Sequence, residues 1–314
     1  MHREGRKWQP GSAPVAVIMI SFNEAHNMQA VLDNLEGWAQ EVFLVDSYSS
    51  DDTVDIALSR GVHVVQRPFR GFGDQWNYAV SKLPVTAPWA MKLDPDERLN
   101  DRLKTAVAKA IEDDAGDALV VRRRLWFMRQ PLPVHQEILR LWRTGTCRFS
   151  DVAVNEYPLV EGRTKLLDGE LEHHDSPNLH HWLEKQNRYT TAEAAMTFRG
   201  DRLSATPRLF GNALERRMWL KRAYRRLPFR HQLMFLHCLL VQGAWRAGRT
   251  GFIWAHLRSV VYRLIEYKTK EMKRLGAAYD PPPPCRGKPH PGAIQAEGAA
   301  DGNSGAAALS NRKE

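Results

Sequence analysis

Cysteine is scarce in this chain, and apolar runs of membrane-spanning length are missing. Cys147, Cys238 and Cys285 are the three cysteines in 314 residues, with no CxxC pair and no metal-type spacing. That argues against a disulfide framework or a zinc site and makes a reducing cytoplasm the expected setting. The opening stretch "MHREGRKWQPGSAP" has no apolar core of the kind that directs export. Between Arg230 and Arg246 lies an uncharged stretch, "HQLMFLHCLLVQGAW", but it has only 15 residues and includes His231, Gln232, His237 and Gln242. A span needs about 20 predominantly apolar residues, so this one is too short to cross a bilayer. Glycine is also short where a dinucleotide fingerprint would need it. "RGFGDQ" lacks the third glycine and precedes no convincing acidic strand end, which disfavours a Rossmann dehydrogenase.

What is present is ordinary globular composition, 43% apolar and 26% charged, enough for one large domain or two smaller ones. The net charge of +9 is unevenly spread. Residues 199–276 hold 18 Lys/Arg and 4 Asp/Glu, leaving a balance of −5 for the rest. An acidic front and a basic back suggest two jobs, the second of them meeting something anionic.

The front alternates strand and helix. "VAVIMI" (15–20), "EVFLVD" (41–46), "VHVVQ" (62–66) and "WAMKL" (89–93) are apolar, β-branched runs suited to strands buried on both faces. Between the first two, Met28, Val31, Leu32 and Leu35 form one helical stripe, which Asn23 or Ser21 can cap. Regular alternation implies a parallel sheet, whose ligands sit at the carboxyl ends of its strands. "SFNE", "DSYSSDDT" and "DPDE" all fall there, so they are expected to converge on one cleft. "DPDE" crowds Asp94, Asp96 and Glu97 together, and like charges this close are costly without a compensating cation. A hard divalent ion, Mg²⁺ or Mn²⁺, resolves this by sharing carboxylate and phosphate oxygens.

"SFNE", "VDSYSSDDTVDIA", "RPFRGFGDQWNYA" and "KLDPDE", in this order, resemble the motifs of family 2 glycosyltransferases of the GT-A fold, most closely the lipopolysaccharide-core glucosyltransferase branch. The likeness is strong over about residues 15–100 and weaker through "VNE", "HH" and "KQNRYTT". Pro95 stands where relatives carry alanine. The resemblance implies inverting transfer from a nucleotide-sugar, a UDP-sugar foremost. It implies an α/β, GT-A type parallel or mixed sheet flanked by helices. It also implies that Ser21, Asn23, Glu24, Asp46, Ser47, Gln75, Asn77, Lys92 and Asp94 form the donor side. Asn23 and Glu24 would lie near the nucleoside, Asp46 on the base, Asp94 on the ribose or sugar, and Asp96 on the metal.

Inverting transfer needs a carboxylate to take the acceptor hydroxyl's proton. Downstream acids are Glu137, Asp151, Glu156, Asp168, Glu170, Glu172 and Asp175. Relatives show a His-Glu pair after a valine here; this chain has Val154-Asn155-Glu156, so Glu156 is the expected base and Asp151 the runner-up. In "LEHHDSP", alternation turns only one of His173 and His174 inward, and His174 is taken as the added metal ligand. Lys185, Gln186, Arg188 and Tyr189 of "KQNRYTT" are read as a wall for the diphosphate or a phosphorylated acceptor.

At the back, arginines interleave with Trp, Leu, Tyr and Phe over 209–229 and 251–275, as in helices that lie on an anionic membrane surface. An ordinary packing layer is the bland alternative; nucleic-acid binding has no recognised module behind it. The expected organisation is a flexible 1–13, a transferase domain over 14–198 (donor half 14–100, acceptor half 101–198), a basic helical region over 199–276, and a disordered tail over 277–314. The expected location is the cytoplasmic face of a bacterial inner membrane, with a lipid-linked or surface-glycan acceptor. A sugar-nucleotide nucleotidyltransferase would instead open with a basic, Gly-rich phosphate loop, whereas "SFNEAH" is acidic. A non-catalytic docking protein of the same fold is the third reading, which intact Asp94, Asp96 and Glu24 oppose.

Overall fold

The computed structural model describes residues 7–150, 157–200, 227–279 and 286–296, with single positions between 210 and 223. Asp151 and Glu156 lie outside the described residues. The front folds as its pattern requires: β1 (Ala13–Ser21), α1 (Ala25–Leu35), β2 (Ala39–Asp46), α2 (Thr53–Ser59), β3 (His63–Gln66), α3 (Phe72–Lys82) and β4 (Trp89–Lys92). β1 pairs in parallel with β2 and β4, and β2 with β3. Its apolar run is buried on both faces. Val15, Val17 and Met19 share a core with Met28, Val31, Leu32 and Leu35 of α1, while Ala16 and Ile18 share another with Trp76 and Ala79 of α3.

The second half turns the sheet mixed. β5 (Glu97–Leu99) leads into α4 (Asp101–Glu112), capped by Asn100, whose Oδ1 accepts from the Leu103 N–H at 2.8 Å. β6 (Ala118–Phe127) and β7 (Gln130–Arg143) form a hairpin, and β7 also runs antiparallel to β4. Arg148–Phe149 (β8) and Pro158–Leu159 (β9) make a small separate pair. β10 (Thr164–His174) lies parallel to β6 and antiparallel to β5. These pairings bring the end of β10 back beside the "DPDE" turn.

Helix α5 (Leu179–Arg199) follows, then α6 (Arg230–Leu236), a π-turn over 237–241, a 3-10 turn over 244–247 and α7 (Gly248–Leu275). The bland reading of the back is right for one face. Trp182, Cys238, Ala244, Trp254, Ala255 and Val261 bury a core with Phe127, Leu132 and Val134 of the hairpin. Gly251 makes this approach feasible, because a Cβ there would stand 1.7 Å from the Ala244 carbonyl oxygen. The other face stays open: Phe229, Leu233, Leu236, Leu240, Val241, Trp245 and Phe252 are exposed. Among the described residues, no helix is long and apolar enough to cross a membrane.

One expectation is overturned. Residues 286–296 are not a structureless tail; Ile294–Gln295 forms β11, parallel to β3. The sheet then runs β11-β3-β2-β1-β4-β7-β6-β10-β5. The physical reason is edge pairing: β3 would otherwise leave a row of backbone donors and acceptors unpaired.

Candidate active site

The polar loops after β1 and β2 are knitted into one rim. Ser21 Oγ donates to Asp46 Oδ1 at 2.9 Å, and the Asn23 and Glu24 backbone N–H groups donate to Ser49 Oγ and Thr53 Oγ1, both at 2.8 Å. Asn23 (φ 56°) and Tyr48 (φ 61°) sit in the left-handed region, which surrounding bonds must hold for a non-glycine residue. Neither Ser21 nor Asn23 caps α1: Asn23 Oδ1 accepts instead from the Ser50 N–H at 2.8 Å. That trade builds the rim at the helix's expense.

Several donor-side expectations change here. Asp46, expected on the base, lies inside the rim. It is fully buried, and its oxygens accept from Ser21 Oγ, from the Ser49 N–H and Oγ–H, and from Gln66 Nε2. It is the knot of the rim. Gln75 is likewise buried and bonded to Arg67 and Ser47. The Asn77 side chain braces the Phe149 backbone, accepting at 2.8 Å and donating at 3.0 Å. Lys92 is buried, with its ammonium over the Trp76 ring at 4.4 Å. Asn23, Glu24, Ser47 and Asp94 are on or beside the rim.

The "DPDE" acids are compensated in two different ways. Arg140, buried on β7, donates to Asp94 Oδ2 at 2.9 Å and to Glu97 Oε1, and Arg123 stands 3.4 Å from the same Glu97 oxygen. Glu97 is wholly buried and its Oε2 accepts from the Asp94 N–H at 3.1 Å. Asp96 faces the other way. Its Oδ2 lies 3.3 Å from His173 Nε2 and 3.2 Å from Lys185 Nζ, and that ammonium also reaches Asp175 Oδ1 at 2.9 Å. Burial alone would raise the Asp96 carboxyl, but His173 and Lys185 outweigh it and hold the group well below the usual range. Burial would lower Lys185 and His173, yet the same carboxylates keep both raised. At Glu24 the balance is reversed, because Asn27 and the Lys185 charge lower its carboxyl less than its surroundings raise it. Burial first, then the Asp96 charge, pushes its carboxyl up to about 7.

Asp96, His173 and Asp175 offer one ligand atom each, all within 4.8 Å of one another. Asp96 Oδ1 is buried and receives no hydrogen bond from the described residues. Two carboxylates and an imidazole suit Mn²⁺ or Mg²⁺ completed by phosphate oxygens, so the residues fit a divalent ion.

This corrects the histidine. His174 points away, its ring 4.6 Å from the Trp126 ring and its Nε2 3.5 Å from Glu172; only its backbone N–H serves the site, donating to the Asp96 carbonyl at 2.8 Å. The signal was present in "ELEHH". Leu171, buried between Glu170 and Glu172, fixes the strand's parity, and His173 shares its face. Of the "KQNRYTT" wall, Lys185 enters the acid cluster and Gln186 is half-buried beside it on α5. Arg188 and Tyr189 are exposed. Among the other acids considered for the base, Asp168 pairs with Arg102, Glu170 with Arg124 and His135, Glu172 with His174 and Glu137 with Arg122. Arg140 was missed, although a charged residue inside the apolar run "EILRLW" is the mark of a buried counter-ion.

Residues 16–157 match the family model Glycosyl transferase family 2. The chain is 26% identical over 278 residues to the lipopolysaccharide core biosynthesis glycosyltransferase LpsC of Rhizobium meliloti (strain 1021), spanning 84% of this chain and 94% of that one. It is 24% identical over 197 residues to glycosyltransferase RP128 of Rickettsia prowazekii (strain Madrid E), spanning 57% and 66% of the two chains. The mannosyltransferase PcManGT from Pyrobaculum calidifontis, solved with GDP-Man and Mn2+, aligns at 18% identity over 84% of this chain and 90% of that one, with a TM-score of 0.49. Four ordered motifs, a family model laid across all of them and a relative aligned along nearly its whole length have one common explanation: residues 16–157 form a glycosyl transferase family 2 domain.

Proposed function

We propose that this glycosyltransferase moves a hexose from its nucleotide-sugar donor, a UDP-sugar foremost, to a lipid-linked or lipopolysaccharide or exopolysaccharide acceptor, with inversion and with Mg²⁺ or Mn²⁺. The observation that carries the reading is the buried Asp96 Oδ1, without a hydrogen-bond partner among the described residues, within the Asp96–His173–Asp175 cluster beside the rim. The name of the relative LpsC supports the acceptor class. A bound divalent ion would neutralise charge on the departing diphosphate. Lys185, already among the acids, would turn its ammonium toward the same phosphates. Arg140 holds Asp94 in place, with its carboxylate partly open toward the donor.

Glu156, with Asp151 as runner-up, would take the proton of the acceptor hydroxyl as that oxygen attacks the anomeric carbon. The carbon–oxygen bond to the diphosphate then breaks, its electron pair leaving with the diphosphate. The reading is tested by incubating the protein with a panel of nucleotide sugars, Mg²⁺ or Mn²⁺ and a glycolipid acceptor, and reading nucleotide release. Release is expected with one donor and is expected to stop on chelation; metal-independent release, or none, would overturn the reading. In that assay Glu156→Gln should keep donor binding and lose about 10²- to 10⁴-fold of transfer. Normal transfer by Glu156→Gln with loss in Asp151→Asn would move the role to the runner-up.

The open face of the back supports docking on the cytoplasmic side of the inner membrane. Phe229, Leu233, Leu236 and Leu240 repeat at helical spacing and are exposed, next to Trp245 and Phe252. From Arg230 to Tyr279 there are 9 Lys/Arg against 2 Asp/Glu. Each basic residue near an anionic surface contributes about 1 kcal/mol, decaying within a Debye length. Sedimentation with liposomes should therefore favour anionic over neutral vesicles and weaken in high salt; equal binding to both would reject the electrostatic part.

A further inference from the structure

We infer that the C-terminal strap, residues 286–296, is a working part of the donor site, which positions the Ser47–Ser50 loop for the nucleotide. The inference rests on the nucleotide-sugar reading and adds to it a segment far outside the family-matched 16–157. The strap is attached at both ends of the rim. At one end the Gly287 N–H donates to the Tyr48 carbonyl at 2.8 Å. At the other, the Ala296 N–H donates to the Gln66 carbonyl at 3.0 Å as β11 runs beside β3.

Gln66 links strap to rim. Its buried side chain donates through Nε2 to Asp46 Oδ2 at 2.8 Å and accepts through Oε1 from the His290 N–H at 2.7 Å. Asp46 in turn holds Ser21 and Ser49, and Ser49 Oγ holds the Asn23 N–H. An unbroken chain of hydrogen bonds thus runs from the strap to the residue expected beside the nucleoside. Tyr48, kept at φ 61°, is gripped twice, since its hydroxyl also lies 3.2 Å from Gln295 Oε1. A non-glycine residue persists in that conformation only where its surroundings fix it. Gly287 is what permits the crossing: a Cβ there would stand 2.2 Å from the Ser49 carbonyl oxygen and 3.1 Å from the Ser50 Cα. Both obstacles are backbone, so a side chain at 287 must push the loop itself. Gln66, Gly287 and Gln295 are positioning residues; they act on the donor through the loop.

The test is titration of the full-length protein, in Mn²⁺, with UDP, GDP, ADP and CMP, with folding followed by circular dichroism. Wild type is expected to bind one of them, Gly287→Val to bind it at least tenfold more weakly while folded, and Gln295→Ala a few-fold more weakly. A strap that merely stabilises the fold would lower the melting temperature and leave the Kd unchanged. That result in folded Gly287→Val would overturn the inference alone. If Gly287→Val does not fold, an unchanged Kd in Gln295→Ala has the same force. Failure of wild type to bind any of the four would overturn the donor reading and this inference with it.

Discussion

Three acids of one turn are compensated in opposite ways. Toward β7, Asp94 and Glu97 share Arg140, a planar guanidinium that is 4% exposed and always charged. Toward β10 and α5, Asp96 meets His173 and Lys185, the one a metal-ligand type and the other a cation on a flexible stem. On the proposed reading the first arrangement is permanent and the second exchangeable: Arg140 fixes the turn and aims Asp94, whereas the cations that meet Asp96 can give way to a metal ion.

The contrast can be broken from either side. The largest effect is expected from Asp96→Asn: donor turnover should fall by about 10²- to 10³-fold or more, the scale of losing one aimed electrostatic contact, while the protein stays folded. Full activity would show that Asp96 is another structural acid. Arg140→Leu should act first on stability, lowering it by about 3 kcal/mol because buried Glu97 loses its nearer cation and keeps only Arg123 at 3.4 Å; urea unfolding measures this. An unchanged midpoint would mean the guanidinium is not what holds the turn.

A smaller effect is expected at Glu24, where pH sharpens the comparison. Its folded-state pKa of about 7 lies above the ordinary 4.5, so the metal-free folded protein binds more protons than the unfolded chain between those values. Stability contributed by the protonated carboxyl is full below pH 4.5 and is lost as pH rises through 7. Glu24→Gln should then be the more stable protein at pH 8, by on the order of 2 kcal/mol, and the difference should close toward pH 4.5. Parallel stability curves for the two proteins would contradict the burial argument.

The front of the molecule was legible because it depends on local pattern. Double-faced apolar runs gave strands, the stripe from Met28 to Leu35 gave α1, and polar residues at strand ends gave the rim. What escaped depends on distant partners. Asp46 looked like a ligand-facing acid until Gln66, Ser21 and Ser49 closed on it. Residues 286–296 are rich in Gly, Pro and Ala, so their composition shows no strand; the pairing with β3 lies more than 200 residues away. His173 was readable from Leu171, two positions earlier on the same face, and Arg140 from its place in an apolar strand.

Manganese binding to two single variants tests the central claim, that one face of the turn is an exchangeable cation site. Mn²⁺ would be titrated by electron paramagnetic resonance, with UDP present, into wild type, His173→Ala and His174→Ala. Wild type should bind one ion, His173→Ala should lose at least tenfold in affinity, and His174→Ala should match wild type. Loss in His174→Ala with His173→Ala unaffected, or no binding by wild type, would contradict it.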